Sequence, residues 1–207
     1  MDESPRPSLF SVRLNFVISL SAHNSNLLYD HGIGAFTAAE LDAIEQYCEG
    51  LELIKAPLGG RSENDPYENI RISKVAAIRQ APQIMWLYER IAGVVHMLNR
   101  TYQFDLRGFH EPLQYTVYHH SEGGHFNWHI DQGPQPPRKL SLTLQLTDPS
   151  RYEGGDLQFN TGTKPVTAPK DRGVAIAFPS FVLHRVTPVT AGTRRALVAW
   201  VTGPSFK

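Results

Sequence analysis

Residues 140–147 read Leu-Ser-Leu-Thr-Leu-Gln-Leu-Thr, four leucines alternating with four polar residues. In an extended chain successive side chains leave on opposite faces, so this stretch is predicted to be a strand with an oily face of leucines and a polar face of Ser141, Thr143, Gln145 and Thr147. A soluble sheet ordinarily turns such a polar face to water, which is the expectation here; a barrel can instead turn it inward around a ligand. Working outward, short strands are predicted at 113–118, 156–161, 174–178, 181–187 and 196–202, punctuated by glycine and proline. Towards the N-terminus the period changes. Thr37 and Glu40 form a capping box that opens a helix carrying Leu41, Ile44, Cys48 and Leu51 on one face. Pro82 opens a second helix through Ile84, Leu87, Ile91, Val94 and Leu98. Residues 9–20 partly alternate and fit a strand, residues 1–8 read as a flexible leader, and 58–67 as a mobile surface loop able to serve as a lid. The order is helices first, then a β-sandwich or barrel, with no internal repeat or second domain.

Composition narrows the function classes. The 207 residues are 41% hydrophobic and 19% charged, the profile of one globular domain. Twenty Lys and Arg balance twenty Asp and Glu, so no net field draws in nucleic acid or an anionic membrane surface. One cysteine, Cys48, permits neither an internal disulfide nor a thiolate cluster. No apolar run approaches the ~18 residues of a membrane span. The stretch 9–22 follows acidic Asp2 and Glu3 and is broken by Arg13 and Asn15, unlike a signal peptide. The expected location is cytoplasmic.

Nine histidines are the unusual count. His129 and Asp131 lie two apart in the extended-looking run Phe-Asn-Trp-His-Ile-Asp (126–131), so both side chains leave one face of a strand or its end and suit a single metal. A third ligand is available later in the β-rich half, in Phe-Val-Leu-His (181–184). Two imidazoles and one carboxylate occupy one face of Fe(II) and leave the opposite positions open, whereas a structural zinc site closes all four. Arg194 opens the apolar stretch that follows. An arginine directed into a barrel is costly unless it meets an anion, and its guanidinium fork matches a carboxylate. Arg195 beside it reads as a solvated surface charge. His119, His120 and His125 crowd this region as surface or supporting residues, and Cys48 reads as core. His125 and His129 do not make a zinc-protease pair, since Phe126 stands where glutamate is needed.

Several segments in order resemble the Fe(II)- and 2-oxoglutarate-dependent oxygenases, on the prolyl and lysyl hydroxylase-like, PKHD-type side of that family. They are Gln-Tyr-Thr-Val-Tyr (114–118) followed by glycines and His-Ile-Asp (129–131), then Glu-Gly-Gly-Asp-Leu-Gln-Phe (153–159), then His-Arg-Val-Thr-Pro-Val (184–189) with Gly-Thr-Arg (192–194). The resemblance covers roughly residues 104–203 and implies a double-stranded β-helix, a jelly-roll or cupin-like barrel, with flanking helices. The whole chain would be one dioxygenase domain: the leader at 1–8, a helical support region at 9–103 and the ligand-bearing barrel at 104–203.

The resemblance also implies that His129, Asp131 and His184 bind iron and that Arg194 pairs with the distal carboxylate of 2-oxoglutarate. Tyr118 would line the same pocket, and Gln145 falls where relatives place a polar residue that touches the cosubstrate. Trp200 resembles an aromatic wall of the site, with a core role as the plain alternative. Tyr67, Arg71 and Trp128 are candidates to meet substrate, Arg71 because it follows the loop at 58–67, and the proline-rich loop 132–138 reads as a rim. The implied reaction uses Fe(II), 2-oxoglutarate and O₂, with ascorbate as a supporting reductant, to hydroxylate an amino-acid side chain, either peptidyl or in a free amino acid or derived metabolite. Flanking helices leave a homodimer open. Two rivals stand beside this reading: a cupin-like metal enzyme that does not use 2-oxoglutarate, and a non-catalytic jelly-roll module that binds sugar or peptide.

Overall fold

The structure, a computed structural model, describes residues 27–57, 70–131 and 137–205. The sequence expectations at 1–8, 9–20 and 58–67, and most of the loop at 132–138, lie outside them. In chain order the elements are β1 (Asp30–Gly32), α1 (Ala38–Glu49), β2 (Ile54–Lys55), β3 (Arg71–Ile72), β4 (Lys74–Ile78), α2 (Met85–Tyr102), β5 (Leu113–His119), β6 (His125–His129), β7 (Arg138–Gln145), β8 (Tyr152–Gly154), β9 (Leu157–Phe159), β10 (Val166–Thr167), β11 (Ala175–Pro179), β12 (His184–Val186) and β13 (Val189–Thr202). A 3₁₀ turn, Pro82–Ile84, leads into α2.

Two antiparallel sheets face one another. The larger runs β1-β11-β7-β13-β5-β4-β2, with β8 added against one end of β13; the smaller runs β10-β9-β12-β6-β3. This is the expected barrel of two opposed sheets, with one difference. β4 lies between the two helices in sequence and pairs with β5 along Lys74–Ile78, so the stretch before residue 104 supplies sheet as well as helix. Its alternation is too short to stand out from the loop before it.

The leucines of β7 form the outer face of the larger sheet, where they pack with Leu197, Ala199 and Val201 of β13 against both helices. Helix α1 begins as its capping box dictates, with Thr37 Oγ1 accepting from Glu40 N–H at 3.2 Å and Glu40 Oε2 accepting from Thr37 N–H at 2.7 Å. It buries Leu41, Ile44 and Cys48. Among the bonds that tie helix α2 to the sheets, Tyr88 donates to the Ile78 carbonyl at 2.6 Å and Tyr102 to that of Ala177 at 3.0 Å. With the helices covering the leucines, the polar face of β7 turns into the barrel. Ser141, Thr143, Gln145 and Thr147 are all buried, opposite to the expectation that this face meets water. The alternation was read correctly; what decides which face is wet is the pair of helices, which lie far away in sequence.

Arg195, expected in solvent, is half-buried on the helix-facing side, against Tyr115. At the turn after β8, Gly154 has φ +68°, and a Cβ there would run into the Pro188 carbonyl oxygen. Only glycine lets β8 approach β13 so closely.

Candidate active site

His129 ends β6 and His184 opens β12, and the register pairs them directly across the smaller sheet. Asp131 follows two residues after His129 and is 7% exposed. The three ligand atoms lie within 4.8 Å of one another, with His129 Nε2 3.6 Å from Asp131 Oδ1 and His184 Nε2 3.7 Å from Asp131 Oδ2. Each imidazole is fixed by its other nitrogen: His129 Nδ1 lies 2.7 Å from the Asn127 carbonyl and His184 Nδ1 2.8 Å from that of Val182. Those bonds leave both Nε2 lone pairs facing the carboxylate, as a metal ligand requires.

Electrostatics agree with this geometry. Burial, and then the neighbouring His184, push the His129 pKa down to about 3, so the ring is neutral and ready to ligate. Burial raises the Asp131 carboxyl, but His184, His129 and a hydrogen bond from Ser141 outweigh it and hold the group below the usual carboxylate range. Ser141 Oγ donates to Asp131 Oδ2 at 2.7 Å and shares a 2.9 Å hydrogen bond with Ser180, while Asp131 N–H donates to the Ser180 carbonyl at 2.8 Å. Ser141 thus holds the carboxylate directly, while Ser180 steadies both Ser141 and the Asp131 backbone.

Arg194 lies deep in the barrel and is 1% exposed. Its Nη2 donates to Gln145 Oε1 at 2.9 Å, its Cζ lies 5.4 Å from the centre of the Tyr118 ring, and its Nε is buried without a partner. Gly155, with φ +61°, makes room for it, since a Cβ would come within 2.9 Å of Arg194 Cδ. A buried guanidinium with an idle N–H is an anion site awaiting its anion.

These groups share one narrow cleft, lined by His129, Asp131, His184, Tyr118, Arg194, Arg71 and Trp200 among the residues anticipated from sequence. Gln145 and Trp128 do not line it. Gln145 acts on the cleft through Arg194, and Trp128 faces the guanidinium of Arg185 at 4.6 Å instead. Trp200 Nε1 is buried without a hydrogen bond of ordinary geometry, yet it is near enough to Asp131 to help keep that carboxyl ionised. His119 and His120 are taken up by Ser121 and the Gly192 carbonyl, and His125 by the Gly123 carbonyl. Sequence reasoning missed Ser141, Ser180, Gln114, Phe126, Thr143 and Phe178. For Ser141 and Thr143 a signal existed, the polar face of β7; Gln114 and Phe178 become neighbours of the site only through strand pairing.

The chain is thus a double-stranded β-helix with an open His-Asp-His ligand set at its mouth and a buried arginine on its floor. Residues 113–202 match the model of the 2OG-Fe(II) oxygenase superfamily. The chain is 39% identical to a PKHD-type hydroxylase of Alteromonas mediterranea over 90 residues, 40% of each chain. It is 38% identical over 84 residues to one of Colwellia psychrerythraea, 38% of each. The matched stretch spans about two fifths of the length of these relatives. A prolyl-4-hydroxylase of Pseudomonas putida superposes with a TM-score of 0.67 at 21% identity, over 86% of this chain and 94% of that one. A non-heme alpha-ketoglutarate-dependent carbocyclase of nogalamycin biosynthesis superposes with a TM-score of 0.65 at 15% identity, over 89% and 85%. The superfamily implies Fe(II), 2-oxoglutarate and O₂, and the residues present fit the first two: two imidazoles and a carboxylate for a divalent ion, and an arginine with an idle N–H for the dicarboxylate.

Proposed function

We propose that this protein is an Fe(II)- and 2-oxoglutarate-dependent hydroxylase acting on an amino-acid side chain, peptidyl or free. One observation supports the reading above the others: the three ligand residues and Arg194, whose Nε has no hydrogen-bond partner, line the same cleft. His129, Asp131 and His184 hold the iron, and Arg194, steadied by Gln145, takes the far carboxylate of 2-oxoglutarate. Bound together, iron and 2-oxoglutarate supply an oxidation in which one atom of O₂ enters succinate as CO₂ leaves and the other becomes the new hydroxyl. The side chains fix ligand geometry, keep both imidazoles in one tautomer and hold water away with Tyr118, Phe126, Leu157 and Phe178. Trp200 and Arg71 complete the wall beside the substrate.

The test is an anaerobic titration of the iron-free protein with Fe(II) and then 2-oxoglutarate, following the weak visible charge-transfer band of the chelated 2-oxo acid. The band is expected, is lost in His184→Ala and Asp131→Ala, and needs much more 2-oxoglutarate in Arg194→Gln. Tight metal binding without the band supports a cupin-like enzyme instead, and absence of metal binding removes the reading.

A further inference from the structure

One cation in the cleft has no anion to meet in the scheme above. Arg71 on β3 is 8% exposed and lines the cleft with His129 and Arg194. Its Nε donates to Ser73 Oγ at 2.8 Å, and its Cζ sits 4.7 Å from the centre of the Phe126 ring. Phe126 in turn stacks on the His129 imidazole, 3.4 Å between centroids and 12° from parallel. Two successive contacts therefore set the guanidinium beside a metal ligand. Among the described residues, no carboxylate lies within ion-pair distance of it. One hydroxyl and one ring face compensate little of the cost of burying a full positive charge.

The two arginines come from opposite walls, Arg194 from β13 of the larger sheet and Arg71 from β3 of the smaller. They are also unequal in charge balance. A divalent metal, ionised Asp131, doubly charged 2-oxoglutarate and Arg194 cancel, with His129 neutral. Arg71 leaves one positive charge over, so the filled cleft is neutral only when the second organic molecule brings one anionic group. The planar fork of arginine suits a carboxylate, which it grips with two parallel hydrogen bonds.

We infer that the substrate oxidised here is a small carboxylic acid, a free amino acid or a close derivative, whose carboxylate pairs with Arg71. The inference rests on the oxygenase reading and selects, between its two substrate classes, the one with a carboxylate next to the reacting carbon chain. An internal residue of a polypeptide offers only amide carbonyls there, which accept hydrogen bonds without balancing charge.

Thermal unfolding of the full chain loaded with Mn(II), an inert stand-in for iron, tests this by binding. The midpoint is measured with and without 2-oxoglutarate, then with each L-amino acid and simple C3–C6 hydroxy acid at millimolar concentration, and with the matching carboxamides. At least one acid is expected to raise the midpoint of the 2-oxoglutarate complex by about 2 °C or more while its carboxamide does not. Arg71→Gln loses that shift, Arg71→Lys keeps a reduced one, and Arg90→Gln, on the helix surface beside Glu40, keeps all of it. No acid-specific shift, an equal shift with the carboxamide, or a full shift in Arg71→Gln overturns the inference. The acid-versus-amide comparison uses the unaltered protein and so survives a poorly folding variant. If 2-oxoglutarate itself gives no stabilisation, the oxygenase reading falls as well; if it does and no acid follows, this inference falls alone.

Discussion

His129, Asp131 and His184 were legible in the sequence because two of them obey the two-residue period of a strand and the third lies in another strand of the same barrel. Their supports were not. Ser141 reaches Asp131 only because β7 runs beside β11, a pairing fixed by distant register. Replacing Ser141 with Ala removes the hydrogen bond that orients the carboxylate, and a metal affinity about 10–100-fold weaker is expected in a Mn(II) titration. The site also makes the metal-free protein acid-sensitive. Unfolded His129 takes up a proton near its ordinary value of 6.5, whereas the folded ring resists until about 3. The unfolded state therefore binds more protons over that interval, and stability falls as pH drops from about 6.5 towards 3. Asp131, held low in the fold, adds a loss of the same sign when it is finally protonated. Urea unfolding of the metal-free chain across this range should show the slope, flattened in His129→Gln.

Strand β7 divides its labour by face, leucines for stability and hydroxyls for the site. Leu142, fully buried under the helices, should cost about 2–5 kcal/mol when cut to Ala, read from urea unfolding, with the metal affinity retained by the folded fraction. Both helices, and five of the six strands expected after residue 104, were recognisable from period and caps, usually to within two or three residues. The sixth, β13, starts well before the expected 196 because its first half contains Gly192 and polar residues that show no alternation. Strands of two or three residues, β1, β2, β3 and β10, carry too short a pattern to read, and they exist because a longer neighbour offers them an edge. Arg71 sits on one of these, which is why its approach to His129 was invisible beforehand.

The molecule as a whole keeps its only thiol on the buried face of α1. Burial, aided by the nearby carboxylate of Glu45, pushes Cys48 up to about 12, so at neutral pH it is a protonated, enclosed group. A thiol reagent should react with the native protein only through unfolding, and Mn(II) with 2-oxoglutarate should slow that labelling, which a stopped time course will show. Strand β13 has a wider consequence. It lies between β7 and β5, which have no ladder with each other, and is the latest in sequence of the described strands. Until it arrives, the nascent chain holds two separate half-sheets, each with a raw edge that should have been joined to the other. During synthesis those edges invite pairing with neighbouring chains, so the protein's vulnerable interval is its birth, and a ribosome pausing before residue 189 would prolong it.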